Sequence, residues 1–395
     1  MEVGSGITIM GYAGITSANI ASHSIDTYHA VSISQIQVNL VTKSCPIVTS
    51  ISANNSTPVS IAGLNYNIPI STPFVLTGNA TDANPNDALT YSWEQYDNSP
   101  STVTGASSLA NATKLAGPNW ISNYPSSSGI RYFPKLSRIL LNQTTSSNPV
   151  NGFLTEALSS VTRTLKFRLT VRDNAIFTNS SPATASVGQT ALSNMSVFVK
   201  ATAGPFLVTS QNTTGISYPG NTTQNITWDV ANTTATPIST TDVKISLSTD
   251  NGLTFPTVLL ATTPNSGSAT VTIPTGVTSI NCRIKVEAIG NIYFNVNTQK
   301  FAITPALGIN DFSLQNFELY PNPNNGSFNV KFDSLTNNEI KIGIHDLRGR
   351  EVFSKSYQNN GVFNENIQLN ELQSGVYLFN IQDGNNKVIK KIIIE

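Results

Sequence analysis

Charged side chains and cysteines are both scarce in this sequence. Only 11% of the 395 residues are Asp, Glu, Lys or Arg, and the formal net charge is zero. A surface without excess positive charge exerts no long-range attraction on phosphate groups, so nucleic acids and anionic membranes are poor candidates for partners. No apolar run of about 18 residues occurs, which argues against a transmembrane helix.

The two cysteines, Cys45 and Cys282, lie far apart in the chain and in what we predict to be different domains. We therefore expect no disulfide bond between them. Cys282 begins the alternating stretch 282–287, which predicts a buried thiol on a strand. Residues 1–4 have neither the basic region nor the apolar run of a signal peptide, so we expect a misassigned start or a fragment of a longer chain.

A β pattern dominates the residues that are present. Thr, Val, Ile, Gly and Asn are frequent, and apolar residues alternate with polar ones, as in sheets with one solvated face. We predict strands at 46–51, 66–70, 74–80, 89–95 and 165–171, with a long irregular insertion at 98–162. After a linker at 203–205, we predict strands at 224–230, 242–248, 257–261, 268–273 and 281–288. The predicted fold class is therefore mainly β, with two sandwiches in tandem.

Residues 78–94 form a predicted strand, an acidic turn and a second strand that carries Trp93. This hairpin resembles those of PKD-like and cadherin-like extracellular sandwiches, so the tandem modules are expected to be Ig-like or PKD-like. The oxygen-bearing side chains that are candidates for calcium binding are Asp82, Asn84, Asn86, Asp87 and Asp173. The alternative is that these side chains only accept the backbone amides of their turns.

A second acidic turn follows the pattern Ser248-x-Asp250-x-Gly252-x-Thr254-Phe255, which matches the Asp-box. The acidic side chain of such a turn bonds backbone amides and closes a hairpin. We predict a structural turn here, without a role in catalysis.

Residues 5–14 are an apolar run between glycines. The pattern predicts a tight turn that buries the thioether of Met10 and directs Tyr12 to the same place, with a plain strand and turn as the alternative. The spacing Thr8-x-Met10-x-Tyr12 resembles the Met-turn of metzincin zinc proteases, close to the astacin and serralysin form. The flanking sequence resembles secreted bacterial reprolysin-like peptidases.

A helix follows the Met-turn in metzincins, and apolar spacing predicts one here at 27–40, with Asp26 as its N-cap. The resemblance implies a zinc enzyme in which Met10 forms the floor below the metal and Tyr12 stabilises the oxyanion or binds the metal reversibly. True reprolysins usually lack that tyrosine. A zinc site of this type needs H-E-x-x-H on a helix. The chain has no such sequence, so we expect it to be inactive alone; its histidines are His23, His29 and His345.

The last part of the chain, from about residue 312, carries four motifs in order. They are Tyr320-Pro321-Asn322-Pro323, Asp346-Leu347-Arg348-Gly349-Arg350, Ser374-Gly375-Val376-Tyr377 and a basic and apolar end with Lys390 and Lys391. Together they resemble the type A sorting domain read by the type IX secretion system of Bacteroidetes. The resemblance implies a small β-sandwich, recognition by the secretion machinery, and a final location outside the cell or on its surface.

These observations predict four parts of the chain. They are a metallopeptidase remnant with the Met-turn and last helix (1–43), a PKD-like or cadherin-like sandwich (44–203), a second Ig-like sandwich (204–306) and the sorting domain (307–395). We interpret the whole as the C-terminal part of a secreted reprolysin-like zinc metalloendopeptidase that acts on protein substrates. The alternative is a non-enzymatic secreted or cell-surface adhesion protein made of β-sandwiches.

Overall fold

Strands make up most of the regular structure in this protein, which confirms the mainly β fold class. The structure is a computed structural model, and it describes residues 2–45, 48–179, 181, 184–306, 314–334, 339–370, 372–384 and 386–395. Contacts divide the chain into two compact units, Met1–Ala306 and Leu307–Glu395. Among the described helices, none has the length and apolar character needed to cross a bilayer.

The first regular element is helix α1 (Ala30–Val41), which follows a series of turns. The prediction of Asp26 as its N-cap is wrong, because His29 takes this position and its Nδ1 accepts the Val31 N–H at 3.1 Å. The carboxylate of Glu94, from a distant strand, accepts the Ala30 N–H at 2.8 Å. A local cap and one tertiary contact therefore satisfy two of the free amides of the first turn and set where the helix begins.

The first sandwich follows the helix. Its strands are β1 (Val59–Ile61), β2 (Tyr66–Pro69), β3 (Phe74–Thr77), β4 (Asn79–Thr81), β5 (Thr90–Gln95), β6 (Ile130–Phe133), β7 (Thr145–Ser147), β8 (Leu154–Ala157), β9 (Arg163–Arg172) and β10 (Thr190–Lys200). The main sheet has the order β2-β10-β9-β5, and β1 pairs with β4, β3 with β6, and β7 with β8. The predicted strand at 46–51 is wrong over 48–51, which has no regular structure. A turn follows at 52–54, where the Asn54 N–H donates to the Ile51 carbonyl at 2.8 Å. Pro46 and Ile47 lie outside the described residues.

The insertion at 98–162 has no helix or strand over most of its length, as predicted, but it also contains several short regular elements. It contributes β6, β7, β8, a 3₁₀ turn (Gly105–Ser108) and helix α2 (Leu136–Ile139). Trp120 and Phe133 are buried in the core, and the Phe133 ring stacks on Phe74 with the centroids 4.7 Å apart. These aromatics occur singly in Ser-rich and Pro-rich sequence, so they produce no periodic signal.

The second sandwich completes the first unit. Its strands are β11 (Leu207–Val208), β12 (Ser217–Pro219), β13 (Thr223–Asp229), β14 (Asp242–Ser248), β15 (Thr257–Pro264), β16 (Ser268–Thr272), β17 (Ser279–Ala288), β18 (Phe294–Val296) and β19 (Phe301–Thr304). One sheet has the order β11-β13-β16 and the other β12-β19-β17-β14-β15, with β18 also paired to β17. Cys282 is fully buried on β17 and Cys45 is exposed, and both are free thiols.

The predicted linker at 203–205 is a packed joint between the two sandwiches. Phe206 is fully buried directly after it, and its ring meets Tyr293 edge-on with the centroids 5.3 Å apart. A side chain at Gly204 would collide with the Ile70 carbonyl oxygen, which lies 2.5 Å from the position of a Cβ. One continuous hydrophobic core therefore runs through both sandwiches.

The second unit is a smaller two-sheet sandwich. Its strands are β20 (Gln315–Tyr320), β21 (Ser327–Asp333), β22 (Ile340–Asp346), β23 (Glu351–Tyr357), β24 (Val362–Gln368), β25 (Gly375–Asp383) and β26 (Asn386–Ile394). The sheets have the orders β20-β21-β24 and β23-β22-β25-β26. Phe328 of the first sheet and Phe379 of the second meet edge-on in the core, with the centroids 5.8 Å apart.

Candidate functional site

The turn around Met10 is held from its inner side. The Glu2 carboxylate accepts the Ile7 N–H at 3.0 Å, the Thr8 N–H at 3.1 Å and the Thr8 hydroxyl at 2.7 Å. Thr8 is fully buried, whereas Met10 is 61% exposed and Tyr12 is 64% exposed. The predicted burial of the Met10 thioether is therefore wrong within this chain, because Glu2 and Thr8 occupy the inward positions and the two larger side chains face outward.

The histidines do not form a zinc site. His29 is buried and caps helix α1, and burial is the main cause that lowers its pKa to about 3, so the ring is neutral. His345 belongs to the second unit, where its Nε2 lies 3.8 Å from the Glu351 carboxylate. His23 lies on an exposed loop. Among the described residues, no group of three metal-binding side chains includes a histidine.

The entry motif of the second unit is bound to the last strand. The Asn322 side chain donates to the Lys391 carbonyl at 3.1 Å and accepts the Ile393 N–H at 2.9 Å. Asn324, which the sequence analysis missed, donates its N–H to the Ile393 carbonyl at 3.0 Å and accepts the Glu395 N–H at 2.8 Å. The first and last motifs therefore form one structure. The only sequence signal for Asn324 was its place directly after the proline motif.

The Asp346 turn joins β22 to β23. Its carboxylate accepts the Arg348 N–H at 2.9 Å, the Arg350 N–H at 3.0 Å and the Arg350 Nε–H at 3.1 Å. These hydrogen bonds, first among them that from the Arg350 backbone, hold the pKa of Asp346 below its usual range. Gly349 has φ +83° in the same turn, a conformation that favours glycine.

The remaining motif residues fall into a packed group and an exposed group. Tyr377 pairs with Asp346 between β25 and β22, and its hydroxyl donates to the Gln373 carbonyl at 2.9 Å. Gly375 begins the same strand, β25. The exposed motif residues are Tyr320, Pro321, Asn322, Pro323, Leu347, Arg348, Gly349, Arg350, Ser374, Lys390 and Lys391. The exposed residues are those that a partner can contact.

An acidic cluster lies at the turn between β4 and β5 of the first sandwich. Carboxylate oxygens of Asp82, Asp87 and Asp173 all lie within 4.8 Å of one another. Asp173 is fully buried directly after β9, and its Oδ1 accepts the Gln189 N–H at 2.7 Å and the Ala175 N–H at 3.2 Å. The structure thus brings together the three aspartates of the predicted calcium group.

The two asparagines of that group lie differently. Asn84 uses its Oδ1 to accept the Ser56 N–H at 2.8 Å, and Asn86 is exposed. Asn55, which the sequence analysis missed, is buried beside the cluster and donates Nδ2 to Asp173 Oδ2 at 2.7 Å.

The cluster also leaves polar atoms without partners. The Oδ1 atom of Asn55 and the Oδ2 atoms of Asp82 and Asp87 are buried and accept no hydrogen bond from the described residues. Burial, followed by the nearby charges of Asp173 and Asp82, raises the pKa of Asp87. The arrangement concentrates negative charge and free oxygen atoms at one point.

A family model described as "Secretion system C-terminal sorting domain" matches residues 318–395, the span that contains the four C-terminal motifs. These residues are a type IX sorting domain. The protein is therefore exported to the cell surface or the medium, and the type IX machinery is its partner. A search of the curated proteins gave no match.

Among solved structures, the chain is similar to the titin I-band fragment I67–I69, with 8% identity, 85% of this chain and 97% of that chain covered, and a TM-score of 0.23. It is also similar to immunoglobulin domains 1–5 of Sidekick-1, with 10% identity, 86% and 58% covered, and a TM-score of 0.19. A third similar structure is the BSP domain of a biofilm associated protein, with 11% identity, 92% and 70% covered, and a TM-score of 0.19.

Proposed function

We propose that this chain is the exported C-terminal part of a zinc-dependent metalloendopeptidase. The observation that carries the proposal is the turn around Met10, whose backbone is fixed by Glu2 while Met10 and Tyr12 project outward. A thioether and a phenol held outward on a fixed turn suit packing against a neighbouring metal-binding domain. The resemblance of Thr8-x-Met10-x-Tyr12 to a Met-turn, with a helix after it, supports this assignment.

In this proposal, catalysis requires both this chain and a catalytic domain outside its 395 residues. The zinc ligands would come from that domain, because the histidines of this chain do not form a zinc site. Bound zinc would supply a Lewis acid and an activated water. Met10 would contribute an apolar floor, and Tyr12 would donate a hydrogen bond to the oxyanion. The two sandwiches would be accessory modules, and the sorting domain exports the protein.

Mass spectrometry of the native protein tests the proposal. Antibodies raised against this chain would isolate the protein from its producing bacterium, at the cell surface or in the medium. We expect the same polypeptide to contain an H-E-x-x-H peptide, to carry stoichiometric zinc and to cleave casein. The 395-residue chain by itself should do neither of the last two. A native polypeptide without the H-E-x-x-H peptide would leave the adhesion protein as the better description.

The role of Tyr12 has its own test in the full-length enzyme. A Tyr12→Phe substitution removes the proposed donor, and loss of one oxyanion donor lowers kcat by about 100-fold or more. We expect KM to change little. Tyr124→Phe is the matched control, since Tyr124 is also an exposed tyrosine of the first unit. Equal activity of both variants would contradict the role of Tyr12 and leave the export function intact.

A further inference from the structure

We infer that Asp82, Asp87, Asp173 and Asn55 bind one calcium ion. The three carboxylate oxygens lie within 4.8 Å of one another. Calcium ligands sit at about 2.3 to 2.6 Å from the ion, so two ligands on opposite sides are separated by about 5 Å. The cluster therefore already has the dimensions of a single coordination shell.

Unpartnered buried oxygens are the second and independent observation. Asn55 is only 3% exposed, and its Oδ1 accepts no hydrogen bond among the described residues. The same is true of Asp82 Oδ2 and Asp87 Oδ2. A buried acceptor without a donor is costly, and native structures satisfy nearly all such atoms. A cation at the cluster would satisfy these oxygens together.

Asp173 and Asn55 are held in place before any ion binds. Two backbone N–H groups fix Asp173 Oδ1, and Asn55 Nδ2 donates to Asp173 Oδ2 at 2.7 Å and to the Val187 carbonyl at 3.0 Å. The two donated bonds fix the orientation of the Asn55 amide and leave its Oδ1 as the free end. Preorganised ligands reduce the ordering cost of binding.

The chemistry of the cluster selects calcium over other metals. All the candidate ligands are oxygen atoms, which suit hard cations and not zinc or copper. Three carboxylates in one shell, with no Lys or Arg in an ion pair with any of them among the described residues, give a strongly negative site. Magnesium prefers a smaller octahedral shell and retains several waters. The protein is exported, and calcium sites of extracellular modules work at about 0.1 to 1 mM.

The ion would tie the chain that enters the first sandwich to the ends of its strands. Asn54 donates Nδ2 to the Ala185 carbonyl at 2.8 Å, and Ser56 N–H donates to Asn84 Oδ1 at 2.8 Å. Asn55 lies between these two anchors and joins the cluster itself. Calcium binding should therefore protect the segment around Asn55 from proteolysis. The inference rests on the export of the protein and is independent of the peptidase proposal.

Calorimetric titration of the metal-free full chain with calcium chloride tests the inference. We expect one ion per chain, a Kd between about 1 μM and 1 mM, and a rise of several degrees in Tm at saturating calcium. Magnesium chloride should bind at least about tenfold more weakly. Asp82→Asn and Asp87→Asn should each weaken calcium binding by about tenfold or more, because each removes a charged ligand. Asp229→Asn is the matched control, since Asp229 is an exposed acid on β13 of the second sandwich.

The metal-free variants separate a binding site from a structural turn. A binding site predicts that Asp87→Asn leaves the metal-free Tm unchanged or higher, because the substitution relieves repulsion from Asp82 and Asp173. A purely structural turn predicts a lower Tm and no response of the wild type to calcium. Three results would overturn the inference. They are absence of binding up to about 10 mM calcium, calcium binding by both ligand variants as tight as that of the wild type, and an affinity for magnesium equal to that for calcium.

Discussion

Asp250 in the second sandwich and Asp87 in the first both lie in turns between consecutive strands, yet their carboxylates have different neighbours. Asp250 accepts the Ser248 hydroxyl at 2.6 Å, the Thr254 N–H at 3.0 Å and the Thr254 hydroxyl at 2.6 Å. Burial raises its pKa, but the hydrogen bonds from Ser248 and Thr254 outweigh burial and lower the pKa to about 2. Asp87 keeps a buried oxygen without a donor, and its pKa is raised.

This difference distinguishes two kinds of acidic residue in Asx-rich turns. One kind only stabilises its turn, and the other can bind a metal ion. In the Asp-box, both carboxylate oxygens of Asp250 accept hydrogen bonds from Ser248 and Thr254, and Asp250 belongs to no group of three metal-binding side chains among the described residues. Asp82 and Asp87 direct free oxygens toward a third carboxylate from another strand. The predicted structural role of the Asp-box is confirmed by its hydrogen bonds.

Substitution of Asp173 should give the largest loss of stability, because Asp173 both accepts hydrogen bonds as a structural acid and lies in the proposed calcium site. In Asp173→Ala, the N–H groups of Gln189 and Ala175 and the amide of Asn55 lose their acceptor. An unsatisfied buried donor costs about 1 to 3 kcal/mol, and of these three only the Asn55 donor is fully buried. We therefore expect the free energy of unfolding to fall by roughly 3 kcal/mol. Urea unfolding in EGTA measures it. A loss below about 1 kcal/mol would show that Asp173 has no anchoring role.

Glu94 extends the comparison to an acid that is buried and partly satisfied. Burial is the main cause that raises its pKa to about 7. Because the folded pKa exceeds the unfolded value of 4.5, its contribution to stability is full below pH 4.5 and is lost as the pH rises to about 7. The loss is on the order of 2 to 3 kcal/mol.

Glu94→Gln should remove this part of the pH dependence. Urea unfolding at about pH 4.5 and pH 8 measures the slope in both proteins. Glu318→Gln, at an exposed glutamate of the second unit, is the control and should leave the slope unchanged. An unchanged slope in Glu94→Gln would mean that other groups produce the pH dependence.

Asp250→Asn should change the free energy of unfolding less than Glu94→Gln does. Its effect should also depend on pH in the opposite direction. The folded pKa lies below the unfolded value of 3.8, so the stabilisation is present above pH 3.8 and is lost as the pH falls to about 2. The site is largely exposed, so solvent screening limits the loss to about 1 kcal/mol. Thermal unfolding at pH 7 and pH 2.5 measures it, with Asp26→Asn as the control. We also expect calcium to raise the Tm of this variant as much as that of the wild type. That result would separate the Asp-box from the proposed calcium site.

Asp346→Asn in the sorting domain should give the smallest loss of stability. Its turn uses the same type of carboxylate to amide bonds, but the group is exposed to solvent. Its folded pKa is lowered, so any stabilisation is present above pH 3.8 and is lost at lower pH. We expect a smaller fall in Tm than in Asp250→Asn. A larger fall would show that exposure does not control the strength of these turns.

Much of the fold was predictable because apolar residues alternate along the strands. The predicted strand at 165–171 lies within β9, and the one at 242–248 coincides with β14. The three aspartates of the cluster were also predictable, since turns at the ends of paired strands meet. Asn55 was not, because it lies in a segment without periodicity and reaches the cluster only through tertiary structure.

The wrong predictions share a physical cause. Asp26 was a reasonable N-cap by residue type, but Glu94 and His29 fix the helix start through contacts that sequence spacing does not reveal. Met10 was predicted to be buried by its residue type, yet Glu2 takes the inward side of the turn. In each case a distant partner or a competing local bond decided the outcome.

The joint at Gly204 bears on how the first unit responds to heat and to pulling force. Phe206 and Tyr293 belong to one core shared by both sandwiches, so neither sandwich can open without exposing the interior of the other. Strings of independent domains yield one domain at a time. These two sandwiches should instead unfold in a single cooperative transition. Under a pulling force, both sandwiches should therefore unfold together and not one after the other.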